Sequence, residues 1–126
     1  MTGDALRIVT GSVYHPPEEA YPRLLVMRRW PRGVAKGAVD QWERELAPTN
    51  DLLDAYQKEG LPWDELASKY RAQVEARPEL LDWVARMAAT TGVVLLCSSH
   101  EPCHRDVLAE VVRDYASGGT PASKGA

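Results

Sequence analysis

Residues 93–105 read Val93-Val94-Leu95-Leu96-Cys97-Ser98-Ser99-His100-Glu101-Pro102-Cys103-His104-Arg105, and this stretch decides the fold. The apolar run after Gly92 predicts a buried strand, and the polar run that follows predicts a short loop. Pro102 predicts the start of an amphipathic helix, because apolar side chains follow at helical spacing at Val107, Leu108, Val111, Val112 and Tyr115. Ligands of open α/β sheets bind at the carboxyl ends of the strands, so a functional site is expected at this loop.

The remaining chain predicts one small α/β domain at residues 1–116 and a disordered tail at 117–126. Two further apolar runs, at residues 6–9 and 24–27, predict strands. Amphipathic segments predict a helical turn or short helix at 40–46 and helices that begin near Thr49, Pro62 and Pro78. Strands separated by helices are typical of a short, mostly parallel sheet flanked by helices.

The composition is that of an ordinary globular domain. Of the 126 residues, 44% are hydrophobic and 26% are charged. There is no apolar run of roughly 18 residues, so no membrane span is predicted, and the first residues do not resemble a signal peptide. Two cysteines without a secretion signal indicate a reducing compartment, so a cytoplasmic location is predicted and a structural disulfide is not expected. No cofactor is predicted.

The charge is distributed unevenly along the chain. Residues 20–39 contain none of the 18 acidic residues but five of the 15 basic ones, which are Arg23, Arg28, Arg29, Arg32 and Lys36. A basic loop in a chain of net charge −3 indicates a local site for a small anionic ligand. It argues against extensive nucleic-acid binding.

Several short blocks follow one another in a recognisable order. They are Met27-Arg28-Arg29-Trp30-Pro31-Arg32-Gly33, Asp40-Gln41-Trp42, Leu46-Ala47-Pro48-Thr49, Trp63, Tyr70-Arg71, Leu95-Leu96-Cys97 and Cys103-His104-Arg105. Together they resemble the domain-of-unknown-function 488 family (YeaO-like proteins), over residues 8–115. The resemblance implies a compact α/β domain with no established activity. The family pattern has an acidic residue where this chain has Arg28, so no carboxylate-dependent role is carried over to that position.

Arg29, Arg32 and Arg105 are the candidate anion-binding residues. Arg105 lies at a predicted helix start, where free N–H groups and the positive end of the helix dipole favour an anion. The guanidinium fork of an arginine suits phosphate or carboxylate. The alternative is that Arg105 pairs with Glu101 or stabilises the loop.

Cys103, His104 and Cys97 are the candidate catalytic residues. A cysteine at a helix start is a candidate for thiolate formation, with His100 or His104 as its base. Three alternatives stay open: inert buried thiols, a reversible Cys97–Cys103 disulfide if the two Cα atoms lie within about 7 Å, and a zinc site that includes both histidines. A metal is not predicted, because structural zinc usually draws its ligands from two separated pairs.

Trp30 is the candidate ligand-stacking residue, because it lies in a Pro-Gly loop between arginines. Trp42 and Trp63 could also stack a base or sugar, but Trp63 lies on a helical stripe and is predicted to fill the core. Tyr70 could reach the site, but it is predicted to be packed. Asp40 is predicted to be a helix N-cap, and Arg71 a surface residue.

The sequence leaves three hypotheses of function, of which the first is the leading one. The first is a cytosolic enzyme that acts on a phosphate- or nucleotide-like small molecule. The second is a non-catalytic module that binds an anion, a nucleotide or the end of a nucleic acid. A third interpretation is a protein whose basic loop docks an acidic partner surface. The oligomeric state is not predicted.

Overall fold

The computed structural model describes residues 6–98 and 103–118. Its strands are β1 (Ile8–Ser12), β2 (Arg23–Leu25), β3 (Gln41–Trp42) and β4 (Val93–Cys97). Its α-helices are α1 (Asn50–Lys58), α2 (Trp63–Glu75), α3 (Pro78–Thr90) and α4 (His104–Ala116). The strands form a parallel sheet in the order β1-β4-β2-β3, which confirms the predicted α/β class. None of the helices in the described ranges is long and apolar enough to cross a membrane.

β4 is the central strand, and all five of its residues are buried. It pairs with β1 on one side and with β2 on the other. Because side chains alternate across a strand, Val93 and Leu95 join the core beneath α2, α3 and α4, while Val94 and Leu96 face the opposite side. Burial on both faces explains why this strand reads as a continuous apolar run in the sequence.

Connecting segments cover the second face of the sheet. Trp30 and Trp42 pack there against the cluster that contains Leu96, with their rings edge to face and their centroids 5.2 Å apart. Their indole N–H groups donate to the backbone carbonyls of Val34, at 2.8 Å, and Met27, at 2.7 Å. The two tryptophans therefore complete a second core, with both polar tips hydrogen-bonded.

The predicted helix starts are confirmed. The hydroxyl of Thr49 caps α1 by accepting the backbone N–H of Leu52 at 3.2 Å. Helix α2 begins after Pro62, and α3 begins at Pro78. From residue 119 onward, the predicted tail lies outside the described residues.

The prediction of a helical turn or short helix at 40–46 is wrong in its first half. Gln41 and Trp42 form β3 beside β2, and a 3₁₀ turn follows at Arg44–Leu46. Asp40 is not a helix N-cap, because its carboxylate accepts the backbone N–H of Arg23 at 2.8 Å and so joins β3 to β2. A strand of two residues is too short to show the alternation from which strands are predicted.

Candidate functional site

A cavity of about 530 Å³ lies at the carboxyl ends of β2 and β4. Its wall includes Met27 and Arg29 after β2, Cys97 at the end of β4, and Cys103 and His104 at the start of α4. Helices α1 and α2 supply the opposite side of the wall. The volume falls within the range of small-molecule sites, roughly 300–1,000 Å³. The sheet thus places Cys97 and Cys103 at a cavity of ligand size.

Cys97 and Cys103 are joined in a disulfide, with their Cα atoms 7.5 Å apart. Cys97 ends the central strand and Cys103 is the N-cap of α4, so the fold brings the two cysteines together across the loop between these elements. Both side chains are buried from bulk solvent and line the cavity. Of the alternatives that the sequence leaves open, the structure contains the Cys97–Cys103 pairing, although its Cα separation is larger than the about 7 Å expected for a disulfide. It does not contain the free thiols expected from the cysteine count.

Arg105 lies against the sulfur of Cys97. The residue is only 6% exposed, and its Nη1 donates to Cys97 Sγ at 2.8 Å. Its Nε lies 3.9 Å from the Asp106 carboxylate. Of the three predicted anion-binding arginines, the described part of the cavity wall includes Arg29 but neither Arg32 nor Arg105. Arg105 thus contacts Cys97 and does not line the described part of the cavity. Its proposed alternative partner, Glu101, lies outside the described residues.

His104 is held in one orientation at the floor of the cavity. Its Nε2 contacts the carbonyl oxygen of Val26, and its ring meets the ring of Tyr70 edge to face at 5.4 Å between centroids. A carbonyl can only accept, so Nε2 carries the proton and Nδ1 presents its lone pair. Nδ1 lies 3.3 Å from Cys103 Sγ. A thiol at Cys103 could therefore donate its hydrogen to Nδ1.

Burial lowers the pKa of His104 from 6.5 to about 4, although the carbonyl of Val26 opposes this shift. The imidazole is then neutral in the folded protein near pH 7. Unfolding restores the ordinary pKa, so between pH 6.5 and about 4 the unfolded chain binds the additional proton.

We therefore expect the free energy of unfolding to fall as the pH falls through this interval, by about 3 kcal/mol from His104. Urea unfolding curves recorded between neutral pH and pH 4 measure the effect. In His104→Gln, which keeps a donor for the Val26 carbonyl but does not titrate, this part of the pH dependence should be absent. An unchanged pH dependence in that variant would contradict the assignment.

The basic segment of residues 20–39 contains β2, and its arginines lie in several environments. Arg29 is exposed and lines the cavity. Arg32 is also exposed, and its backbone carbonyl accepts the hydroxyl of Tyr14 at 2.7 Å. Arg28 is bound within the protein, because it pairs with Glu45 at 3.2 Å and donates to two backbone carbonyls. Trp30 lies in the second core, beside a separate cavity that Trp42 also lines. The structure therefore brings Arg29 to the cysteines and places Trp30 and Arg32 elsewhere.

Helices α1 and α2 contribute cavity residues that the sequence did not single out as a site. Trp63 is half-buried and lines the cavity, although a core position was predicted for it. Its ring meets Tyr56 edge to face with 6.0 Å between centroids. Asp54 and Gln57 add polar groups to the same wall. The available signal was Trp63 itself, a tryptophan at the first turn of α2.

Two other predictions concern α2. Tyr70 is fully buried, and its hydroxyl donates to the backbone carbonyl of Leu46. Arg71 lies at the surface in ion pairs with Glu75 and Asp114. Both placements agree with the prediction of a packed tyrosine and a surface arginine.

The described residues do not form a zinc site. Within residues 6–98 and 103–118, no three His, Cys, Asp or Glu side chains come together as possible metal ligands. His100, which the zinc alternative requires, lies outside these ranges.

The fold and the cavity define a small parallel α/β domain with a cysteine pair at the end of its central strand. Comparison with known proteins gives its family. Residues 7–116 match the family model described as "Active DUF488-N3 subclade", so the chain belongs to the domain-of-unknown-function 488 family, as the sequence blocks predicted. It is 31% identical over 106 residues to the uncharacterised protein YeaO of Escherichia coli (strain K12), covering 80% of this chain and 92% of YeaO. No solved structure matches the chain.

Proposed function

We propose that this protein is a cytoplasmic enzyme that acts on a small anionic molecule, of phosphate- or nucleotide-like character, in the cavity at the end of β4. Cys97 and Cys103 supply the reactive sulfurs, His104 lies beside them, and Arg29 binds the anionic group. One observation carries the proposal: Cys97, Cys103 and Arg29 line the same cavity. Perturbed or nucleophilic groups gathered in a cavity of ligand size are typical of active sites.

The wall of the cavity supports an organic substrate with one anionic group. Trp63 and Tyr56 provide aromatic surface, while Gln57 and Asp54 provide hydrogen-bonding groups. Aromatic side chains bind the faces of planar rings, and a guanidinium binds phosphate or carboxylate. A molecule that combines a ring with an anionic group would use both parts of this wall.

The disulfide favours a second candidate function, a binding module without catalysis. While Cys97 and Cys103 are joined, neither sulfur is a nucleophile. Arg29 and the aromatic wall would still bind a ligand in that state. Binding alone thus needs Arg29 and the cavity, whereas the enzyme hypothesis also needs the reduced cysteines.

The Arg29→Ala variant tests the anionic ligand that both functions share. Thermal unfolding is recorded with phosphate, nucleoside monophosphates and simple carboxylates. A ligand that binds only the folded protein stabilises it by about 2.7 kcal/mol at a hundredfold excess over its Kd. We expect one anion class to raise the Tm of the wild-type protein and to leave that of Arg29→Ala nearly unchanged.

Arg86→Ala is the matched control, because it also removes one positive charge but lies in α3, where Arg86 pairs with Asp82. It should respond to the anion as the wild-type protein does. An equal Tm shift in Arg29→Ala and the wild type, or no shift with any anion, would refute the assignment of Arg29.

A further inference from the structure

We infer that Cys97 and Cys103 form a dithiol–disulfide couple that reduces small organic disulfides carrying an anionic group. Cys97 is the attacking thiolate, and Cys103 is the resolving thiol. The inference rests on the proposed function, because it uses the same cavity and the same anion-binding Arg29. It adds the reaction class and gives each cysteine a separate role.

The contact between Arg105 and Cys97 identifies the attacking sulfur. A buried guanidinium donates to Cys97 Sγ at 2.8 Å. A cation beside a sulfur stabilises the thiolate over the thiol, and the thiolate is the nucleophilic form. Arg105 is thus a positioning residue: it keeps Cys97 in the thiolate form, and no contact between Arg105 and the substrate is proposed.

Cys103 has a different environment. Its neighbour is the neutral imidazole of His104, whose Nδ1 lies 3.3 Å from Sγ and presents a lone pair. In the reduced protein this arrangement suits a thiol that keeps its proton until it reacts. The backbone N–H of Cys103 donates to the Asp106 carboxylate at 3.0 Å, which fixes the cysteine at the start of α4. The disulfide shows that Cys103 Sγ reaches Cys97 Sγ in the folded protein.

The reaction then has two steps. The thiolate of Cys97 attacks one sulfur of the substrate R–S–S–R, forms a mixed disulfide and expels one thiolate, RS⁻. The sulfur of Cys103 then attacks Cys97 Sγ, and its proton moves along the hydrogen bond to Nδ1 of His104 only as the new S–S bond forms. The Cys97–Cys103 bond forms and the second RS⁻ leaves, taking the proton from His104. The substrate gains two electrons and the cysteine pair loses two, and an external small-molecule dithiol returns the pair to its reduced form.

The cavity determines the class of disulfide. Its volume of about 530 Å³ and its aromatic wall accommodate an organic group rather than a substrate of only a few atoms. Arg29 provides the complement to a carboxylate or other anionic group on that molecule. An aromatic disulfide that bears carboxylates is therefore a suitable probe.

The test uses the full chain, reduced with a dithiol, freed of the reductant without air, and mixed with 5,5′-dithiobis(2-nitrobenzoate). The wild-type protein should release two thionitrobenzoate ions per chain and end with an internal disulfide and no adduct, as seen by mass spectrometry. Cys103→Ser should release one ion rapidly and retain the mixed disulfide on Cys97. Cys97→Ser should react at least about tenfold more slowly than Cys103→Ser, because its remaining thiol, that of Cys103, has no guanidinium beside it.

Three further variants test the assigned partners. Arg105→Lys and Arg105→Met, both checked for folding by circular dichroism, should slow the first release, with the larger effect in Arg105→Met. Arg29→Ala should raise the probe concentration needed for half-maximal rate with the carboxylate probe but not with the neutral hydroxyethyl disulfide. The inference is overturned if Cys97→Ser reacts as fast as Cys103→Ser, or if the wild-type protein keeps a stable adduct.

The failures of the two proposals can be told apart. If anions raise the Tm through Arg29 but the reduced protein shows no resolving step, the redox inference is wrong and the proposed ligand stands. If the two-step release occurs but no anion raises the Tm, the cysteine roles stand and the anionic ligand is wrong.

Discussion

Replacing Leu95 by alanine is expected to lower the free energy of unfolding by about 3–5 kcal/mol, near the upper end of Leu→Ala substitutions. Leu95 is fully buried at the middle of β4, where it pairs with Thr10 of β1 and Leu24 of β2. Its side chain belongs to the core shared with the helices. The substitution removes apolar surface from this core and leaves a cavity that the surrounding strands and helices cannot fully close.

Urea unfolding at neutral pH measures this effect, with Leu61→Ala as the matched control. Leu61 lies between α1 and α2 and is half-buried, so the same change of side chain should cost less than about 1.5 kcal/mol. If Leu95→Ala and Leu61→Ala lower the free energy of unfolding equally, the burial of β4 on both faces is not the main source of the protein's stability. Since β4 also carries Cys97, a strongly destabilised strand should loosen the cysteine cavity as well.

Most of the fold could be predicted because its signals are local. Helix α1 is marked by a threonine cap, α3 by a proline at its first position, and β4 by an apolar run after a glycine. β3 could not be predicted in this way, because its two residues become a strand only by pairing with β2. Pairing depends on residues distant in sequence, and a helical interpretation of residues 40–46 was therefore wrong in its first half.

The candidate site could be predicted in outline but not in its contacts. The position of Cys97, Cys103 and His104 follows from the rule that parallel strands end at the ligand-binding edge, and Arg29 follows from its position after β2. The partner of Arg105 could not be predicted, because a guanidinium at a helix start can face either the solvent or the sheet. Trp30 lies in the second core for a reason that is also three-dimensional: loops, not a sequence-marked helix, cover that face of the sheet.

Gly92→Ala is expected to lower the free energy of unfolding by about 2–4 kcal/mol. This loss is the sum of a backbone strain and a steric overlap. Gly92 connects α3 to β4 with a φ of +87°, a conformation that alanine adopts only with strain. An added Cβ would also lie 2.7 Å from Cδ1 and Cγ of the Tyr21 ring, which packs against the second core. The ring or the turn must then shift, and the start of the central strand shifts with it.

Gly60→Ala separates the two costs. Gly60 has a similar φ of +79°, but a Cβ there would meet no atom within 4 Å, so only the backbone strain of about 1 kcal/mol is expected. A double-mutant cycle of Gly92→Ala with Tyr21→Ala, measured by urea unfolding, isolates the steric part. We expect Gly92→Ala to cost about 1–3 kcal/mol less in the Tyr21→Ala background, since the overlap is then absent. If its cost is the same in both backgrounds, the ring of Tyr21 does not restrict this turn, and the backbone conformation alone requires glycine.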